Sequence, residues 1–256
     1  MPPIVRPARP APTAYWWTGR RNFGDLLTPL LMAHFVDLPV THTNLGEANM
    51  ISVGSLLHSV PSGWRGIVAG SGKLFDREEP NTAHATILGL RGPLTARGRR
   101  GSLAIGDPGL LANELVEVPG RIYDIGIVPH WSDDALEHRF QGLTGPGGKP
   151  ANRIVIRPDG DPLDVIRQIG MCKKIVSSSL HGIILADAFG IPRRIEHTPR
   201  FDREGGMFKF ADHNAAVRVR NEVGVTQSPT RHFVQERQHE IFDMLKATRV
   251  ALMEVE

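Results

Sequence analysis

The sequence predicts an α/β protein in which two doubly wound parallel sheets face each other and a C-terminal helix closes the pair. Short β-branched runs alternate with helical stretches from about residue 13, as they do when helices cover both faces of a parallel sheet. The alternation starts again after Pro119-Gly120, and an amphipathic pattern over 233–252 follows it. A chain of 256 residues that is 41% apolar has enough material for such a core.

The first unit is expected over residues 13–118. Its first helix opens at Asn22-Phe23-Gly24-Asp25, and Gly109–Glu114 is expected to be a short helix. The apolar and β-branched runs predict strands at Ala14–Trp17, Met50–Val53, Gly66–Ala69, Thr86–Leu88 and Ser102–Ala104. Residues 1–12 include five prolines and are expected to form a disordered or extended tail.

The second unit is expected over residues 119–256. The same patterns predict strands at Tyr123–Val128, Ile154–Ile156, Lys173–Val176 and Arg193–Glu196. They predict helices at Pro162–Met171 and His181–Phe189, with the closing helix at 233–252. Gly190-Ile191-Pro192 ends the helix before it, as glycine and proline do after a helix C-terminus. Residues 141–150 are a glycine-rich loop, and 199–230 are expected to be rich in loops.

Composition and charge exclude several classes of protein. The net charge is +3, and arginine supplies 24 of the 30 cationic side chains. The excess of arginine suits anionic ligands or reflects genome composition. The arginines are scattered without aromatic interleaving, so no nucleic-acid partner is expected. No apolar run is long enough to span a membrane, and the N-terminus lacks the apolar segment of a secretory signal.

The single cysteine, Cys172, predicts a reducing, cytoplasmic environment, because one cysteine cannot form an internal disulfide. It is expected to be a small core residue. The chain has no metal-ligand spacing, no dinucleotide-binding fingerprint and no phosphate-binding P-loop, so neither a metal nor a cofactor is expected. The basic charge is compatible with loose peripheral contact with the inner membrane face.

The most informative segment is an apolar strand that runs into three serines and then into a helix. Ser177, Ser178 and Ser179 lead to His181, which falls in the first helical turn. The free N–H groups and the dipole of such a helix favour an anion, and an imidazole beside an anion gains proton affinity, which suits a general acid. Alternatively, Ser178 or Ser179 only caps the helix and His181 is a hydrogen-bonded surface residue.

Polar residues also follow other predicted strands of the second unit. His130, Arg157 and Glu196 each stand at a strand end. The carboxyl ends of parallel strands share one rim, so these residues are expected beside His181. Taken singly, each is more often a structural loop residue.

The first unit offers weaker signals. Gly70-Ser71-Gly72 follows a strand and allows backbone N–H groups to approach a ligand, although turns use the same residues. Asp25 is either a carboxylate favoured by the helix dipole or a base that faces a sugar hydroxyl. Arg91 either binds an anion across the cleft or pairs with a neighbouring carboxylate.

These segments, taken in order over residues 15–196, resemble the polysaccharide pyruvyl transferase family. The matching stretches are Asn22-Phe23-Gly24-Asp25, Gly70-Ser71-Gly72, Arg91-Gly92-Pro93-Leu94-Thr95, Gly106-Asp107-Pro108, Gly126-Ile127-Val128-Pro129-His130 and the run from Ser178 to Pro192. The Val-Pro-His and Ser-Leu-His-Gly forms look most like the exopolysaccharide ketal-pyruvyl members.

The resemblance implies two facing Rossmann-like domains, similar to the GT-B glycosyltransferases. It also implies transfer of the enolpyruvyl carbons of phosphoenolpyruvate onto two hydroxyls of a sugar or lipid-linked oligosaccharide, which forms a pyruvate ketal and releases phosphate. The catalytic residues are then His181 as general acid and Asp25. The donor-binding residues are Arg157, Ser177, Ser178, Ser179, His130, Arg91 and Glu196, and the acceptor-binding residues are Asn22, Gly24, Gly70, Ser71 and Gly72.

One departure from the family pattern concerns charge. Many relatives carry arginine two residues before the histidine, where this chain has Ser179, so a cation for the donor is expected from Arg157, Arg91, Lys173 or Arg193. Two alternatives therefore stay open. One is a metal-independent GT-B glycosyltransferase that uses a nucleotide sugar, with Glu196 near the ribose. The other is a non-catalytic glycan-binding protein on the same fold.

Overall fold

The computed structural model describes residues 11–77, 79–133, 135–140, 149–198 and 206–254. The expected proline-rich tail lies outside this part of the chain except for Ala11 and Pro12, and so does most of the glycine-rich loop 141–150. None of the helices in the described ranges combines the length and the apolar character that a membrane span requires.

The first sheet has six strands, all parallel. The strands are β1 (Thr13–Tyr15), β2 (Thr41–His42), β3 (Met50–Ile51), β4 (Ile67–Ala69), β5 (Thr86–Leu90) and β6 (Ala104–Ile105). Their order across the sheet is β2-β1-β3-β4-β5-β6. Helix α1 (Leu27–Val36) follows β1, and 3-10 helices cover Leu45–Glu47, Leu57–Ser59 and Pro108–Leu115.

The second sheet has five strands in the order β11-β10-β9-β7-β8. They are β7 (Ile125–Val128), β8 (Arg153–Val155), β9 (Ile175–Ser177), β10 (Arg193–Ile195) and β11 (Thr226–Gln227), of which β11 alone runs antiparallel. The helices are α2 (Leu136–Arg139), α3 (Pro162–Gly170), α4 (Leu180–Ala188), α5 (Phe208–Ala216) and α6 (Arg231–Glu254). The α/β class is therefore confirmed.

Local chemistry explains where the helices of the second sheet begin and end. The Asp161 side chain accepts hydrogen bonds from the N–H groups of Leu163 and Asp164 and caps α3, with Pro162 at the first helical position. Gly190 has a φ of 63°, a left-handed conformation that suits glycine, and it ends the segment after α4 as predicted.

Every predicted strand overlaps an observed one, but the interpretation of 199–230 as loop-rich was wrong over part of its length. The structure places helix α5 at Phe208–Ala216 and strand β11 at Thr226–Gln227. The helix escaped prediction because many of its buried positions are polar, namely Lys209, Asp212, His213 and Asn214. Without an apolar stripe the segment shows no helical period of hydrophobic residues.

Helix α6 covers the predicted range 233–252, but it packs against the first sheet and α1 rather than within the second unit. Gly89 and Gly106 allow this approach, because a side chain at either position would overlap Met244 or Ile241 of α6. One continuous hydrophobic cluster includes α6, α1, the 3-10 helix Pro108–Leu115 and α4. The two sheets therefore share a core.

A buried ion pair joins the first sheet to α5. The Arg91 Nε atom lies 3.0 Å from Asp212 Oδ2, and both side chains are fully buried. Thr95 donates to the same carboxylate through its backbone N–H at 2.9 Å and through its hydroxyl at 2.6 Å. A side chain at Gly72 would overlap the Arg91 guanidinium, and one at Gly92 would overlap Asp212. These glycines therefore make room for the pair.

Asp212→Ala leaves the Arg91 guanidinium buried without its carboxylate. We expect the free energy of unfolding, measured by urea denaturation, to fall by about 3–5 kcal/mol. The matched control is Asp243→Ala, which breaks the exposed Lys246–Asp243 pair and should cost less than about 1 kcal/mol. Equal losses in the two variants would contradict the importance of the buried pair.

Candidate active site

A cleft of about 450 Å³ lies where the carboxyl ends of strands from both sheets meet. This is the place where α/β sheets bind ligands. The first sheet and the loops that follow its strands contribute Tyr15, Trp17, Asn22, Asp25, Gly54, Ser55, Leu56, His58, Ser59 and Leu74. The second sheet and α5 contribute His130, Trp131, Ser179, Leu180, His181 and Lys209.

His181 stands in the first turn of α4 and is buried against the first unit. A side chain at Gly24 would overlap its imidazole ring, and the Phe23 ring meets it edge-on at 6.3 Å between centroids. Burial lowers the pKa of His181 to about 4, an effect that the positive charges of Lys209 and Arg91 reinforce and the Asp107 carboxylate opposes. Burial therefore favours the neutral imidazole at neutral pH.

The buried Asp107 side chain faces this imidazole. Its Oδ2 atom lies 4.0 Å from His181 Nε2, and neither atom has a hydrogen-bond partner among the described residues. The other carboxylate oxygen, Oδ1, accepts from the Gly109 N–H at 2.9 Å and fixes the side chain. A displacement of about 1 Å brings Nε2 and Oδ2 within hydrogen-bond distance. The Asp107 carboxylate can therefore accept a hydrogen bond from a protonated His181 imidazole.

Asp25 also lines the cleft, at the end of the loop that precedes α1. Asn22 donates to Asp25 Oδ2 at 3.0 Å, and the Asn22 carbonyl oxygen accepts from the Gly24 N–H at 3.2 Å. Burial raises the pKa of Asp25 to about 7, although the Asn22 hydrogen bond and the Lys209 charge lower it. This carboxyl can thus give or take a proton near neutral pH.

Lys209 is a cation of the cleft that the sequence analysis missed. It is 7% exposed and lies in the first turn of α5, close enough to Asp25, His130 and His181 to affect the pKa of each. Its signal in the sequence is a lysine between two phenylalanines in a segment interpreted as loop.

Helix α5 holds Lys209 in place because it is anchored to both halves of the molecule. Asp212 binds Arg91 of the first unit, and His213 Nε2 lies 2.9 Å from Asp187 Oδ2 in α4. Arg193 Nε donates to the same Asp187 carboxylate at 3.0 Å. The polar side chains that hid α5 from prediction are therefore the ones that fix it.

The three serines divide between the cleft and the interior. Ser179 lines the cleft and does not cap α4 through its side chain. The Ser177 hydroxyl donates to the Val128 carbonyl oxygen at 2.7 Å, and the Ser178 hydroxyl donates to Asp133 at 2.7 Å. Ser178 also accepts from the His130 N–H at 2.9 Å. Ser177 and Ser178 thus organise the turn, and Ser179 faces the ligand space.

The structure separates the other residues expected at the second unit's rim. His130 lines the cleft, and burial with the nearby positive charge of Lys209 lowers its pKa to about 3. Arg157 is exposed and lines an adjoining pocket of about 200 Å³, which shares His130 and Trp131 with the cleft. Glu196 pairs with Arg194 and Arg139 outside the cleft.

The remaining cations expected to meet the donor are engaged elsewhere. Arg91 pairs with Asp212, and Arg193 pairs with Asp187. Lys173 pairs with Asp124 at 2.8 Å on the exposed surface. The structure therefore brings Lys209 to the cleft in place of these three.

Gly70-Ser71-Gly72 supports the cleft without lining it. The Ser71 hydroxyl donates to the Gly54 carbonyl oxygen at 3.0 Å and accepts from the Leu56 N–H at 3.2 Å. The Gly72 N–H donates to Gly54 as well, at 3.0 Å. The motif therefore fixes the loop around Gly54 and Leu56, which does line the cleft.

The fold and the cleft define an α/β protein whose candidate ligand site, with Asp25, His181 and Lys209, lies between a parallel and a mixed sheet. A family model described as Polysaccharide pyruvyl transferase matches residues 80–194, which include Arg91, Asp107, His130 and His181. Together with a relative that is 36% identical over 70% of this chain, this match shows that the chain belongs to the polysaccharide pyruvyl transferase family.

Individual relatives agree with the family match. The Succinoglycan biosynthesis protein ExoV of Rhizobium meliloti (strain 1021) is 36% identical over 188 residues, which cover 70% of this chain and 57% of the relative. The Uncharacterized protein L143 of Acanthamoeba polyphaga mimivirus is 39% identical over 94 residues, which cover 36% of this chain and 32% of the relative. The chain thus spans little more than half of the first relative. No solved structure matches it.

The raised pKa of Asp25 predicts a pH-dependent difference in stability between the wild type and Asp25→Asn. The pKa of Asp25 in the folded protein, about 7, exceeds its ordinary value of 3.8. The contribution of Asp25 to the free energy of unfolding is therefore fully present below about pH 4 and is lost as pH rises to about 7. The Asp25→Asn side chain cannot ionise. The free energy of unfolding of this variant should therefore rise relative to that of the wild type by up to about 1.4 kcal/mol per pH unit in this window. The lowered pKa of His181 makes stability change with pH in the opposite sense. Because both proteins contain His181, this effect cancels when the two free energies are subtracted.

Urea denaturation at several pH values measures this difference. The control is Asp243→Asn, an exposed aspartate on α6, for which the difference from wild type should stay nearly constant. A flat Asp25→Asn difference between about pH 4 and pH 7 would show that Asp25 is ionised throughout.

Proposed function

We propose that this protein transfers the enolpyruvyl carbons of phosphoenolpyruvate onto two hydroxyls of a sugar in an exopolysaccharide or cell-surface glycan precursor. The observation that carries the proposal is the convergence of Asp25, His181 and Lys209 in one cleft. These residues supply two proton-transfer groups and a cation, which the reaction requires. The family match supports the same conclusion.

The donor is expected to bind between Lys209 and the start of α4. Phosphoenolpyruvate carries a carboxylate and a phosphate, and it needs cations and N–H donors to balance them. Helix α4 begins after Ser179 without a side-chain cap, so its first N–H groups and its dipole favour an anion. Lys209 supplies the positive charge that many relatives take from arginine at the position of Ser179.

His181 is assigned as the general acid. Burial lowers its pKa, whereas a bound anion would offset the effect of Lys209 and Arg91 and act with the Asp107 carboxylate to favour the imidazolium. Donor binding therefore raises the pKa of His181 and favours its protonated form. Transfer of this proton to the methylene carbon of phosphoenolpyruvate builds positive character at C2, where a sugar hydroxyl attacks.

Asp25 is assigned as the base that takes the proton of the attacking hydroxyl. A pKa of about 7 lies close to neutral pH, where a general base is most effective. Loss of phosphate and attack by the second hydroxyl close the ketal, and the proton of the second hydroxyl leaves with the phosphate. The proton gained by the methylene carbon thus balances the proton lost by the first hydroxyl, and no cofactor is required.

We further propose a GT-B-like division of labour. Residues 13–118 form the acceptor side and residues 119–256 the donor side, with α6 packed on the first sheet. A lipid-linked acceptor would place the reaction at the cytoplasmic membrane face, with peripheral contact. Glu196, the carboxylate expected near a ribose in a nucleotide-sugar enzyme, is paired with Arg194 and Arg139. The geometry therefore gives this alternative no specific support.

Lys209→Met tests donor binding. Phosphoenolpyruvate at 100 times its Kd should stabilise the wild type by about 2.7 kcal/mol, which raises Tm by about 5–10 °C. Lys209→Met should lose most of this shift, whereas the matched control Lys173→Met, which removes a surface lysine paired with Asp124, should keep it. A shift with nucleotide sugars but not with phosphoenolpyruvate would favour a glycosyltransferase.

His181→Ala tests the general acid. We expect kcat for phosphate release in the presence of acceptor to fall by at least about 10²-fold, since general acid catalysis contributes about 10²–10⁴-fold. The control is His232→Ala, which changes a histidine on the outside of α6 and should leave kcat unchanged. Near-native turnover by a folded His181→Ala protein would refute the assignment.

A further inference from the structure

Two tryptophans from different sheets form a continuous aromatic surface in the cleft. Trp17 follows β1 and Trp131 follows β7. Their ring centroids are 5.8 Å apart with a tilt of 33° between the ring planes, and both line the cleft. We call this surface, formed by Trp17 and Trp131, the tryptophan wall.

The tryptophan wall differs from the other two tryptophans, which are structural. Trp16 is buried in the core, and the buried Trp64 donates its indole N–H to the Ala48 carbonyl oxygen at 2.9 Å. Trp17 and Trp131 are half-exposed, and within the described ranges no acceptor takes their indole N–H groups. The two rings therefore have both an open apolar surface and a free donor.

The position of the Trp17 ring is fixed by its own turn. The ring lies so close to the backbone of Gly19 that any side chain there would meet it at 2.7 Å. The guanidinium of the exposed Arg20 lies 5.5 Å from the Trp131 ring centroid, in a cation–π contact. The wall is thus built into the site and is not formed by loose surface side chains.

Polar groups stand on the same cleft as the tryptophan wall. Ser55 lies in the loop after β3, and His58 and Ser59 lie in the 3-10 helix that follows it. The Ser55 hydroxyl oxygen accepts from Arg91 Nη1 at 2.5 Å, so its own proton can be donated to a ligand. An aromatic surface beside hydroxyl and imidazole groups suits a molecule with an apolar C–H face and a hydroxylated edge, which describes a pyranose ring.

We propose that the tryptophan wall binds the acceptor as a pyranose, with the C–H face of the sugar against Trp17 and Trp131 and its hydroxylated edge towards Asp25 and His181. This inference rests on the proposed function, because it gives the wall to the acceptor of that reaction. It also places part of the acceptor site on the second unit, since Trp131 belongs to β7's loop. Both units therefore contact the sugar.

Saturation-transfer NMR with methyl β-D-galactopyranoside and methyl β-D-glucopyranoside tests the proposal, with uridine as the nucleoside probe. Wild-type protein should transfer saturation to the ring C–H protons of at least one pyranoside. Trp17→Leu and Trp131→Leu should each weaken its Kd by at least about fivefold. Phe242→Leu, at an exposed aromatic of α6, should have no effect.

Parallel thermal-shift measurements with phosphoenolpyruvate separate this proposal from the proposed function. Loss of pyranoside contact with a retained phosphoenolpyruvate shift supports both. Loss of contact in the tryptophan variants without a donor shift in the wild type supports the wall and refutes pyruvyl transfer. Three outcomes overturn the proposal that the tryptophan wall binds a pyranose. Both variants bind the pyranosides as tightly as the wild type does, or uridine is saturated instead of the pyranosides, or neither pyranoside gives a signal with or without phosphoenolpyruvate.

Discussion

The buried pair between Arg91 and Asp212 is the interaction on which the cleft depends. It joins a residue that follows β5 to a helix 121 positions later in the chain, and neither charge has contact with water. Because a buried charge without its partner costs several kcal/mol, the pair allows little variation in where α5 sits. Lys209 lies one turn before Asp212 on this helix. The cation of the cleft is therefore positioned by a contact made outside it.

The buried environment of the cleft shifts the pKa values of Asp25 and His181 in opposite directions from their ordinary values. Burial makes Asp25 hold its proton and His181 release its own at the same pH. An anion that enters beside Lys209 changes this balance, since it favours the imidazolium and leaves Asp107 as its partner. The proton affinities of Asp25 and His181 are thus set by burial together with the charges of Lys209 and Asp107.

Sequence patterns captured the parts of the fold that depend on apolar periodicity and on strand ends. They located nine of the eleven described strands, missing β2 and β11, and they found the stop at Gly190 and Asn22, Asp25, His130, Ser179 and His181 of the cleft. They failed at α5, because its buried positions are polar and a hydrophobic period cannot reveal them. They left Arg91 open between ligand and salt bridge, because its partner lies in that unpredicted helix. The orientation of serine hydroxyls depends on neighbours such as Val128 and Asp133, which local spacing does not specify.

The return of α6 to the first sheet has a consequence for how the chain folds. The apolar faces of β4, β5 and β6 are covered by a helix made more than a hundred residues later, after the whole second sheet has been synthesised. Contacts of such long sequence separation form slowly, and a nascent chain exposes those faces while it waits for them. During synthesis the first half therefore exposes apolar strand faces until α6 has been made, which makes it the more aggregation-prone half of the chain.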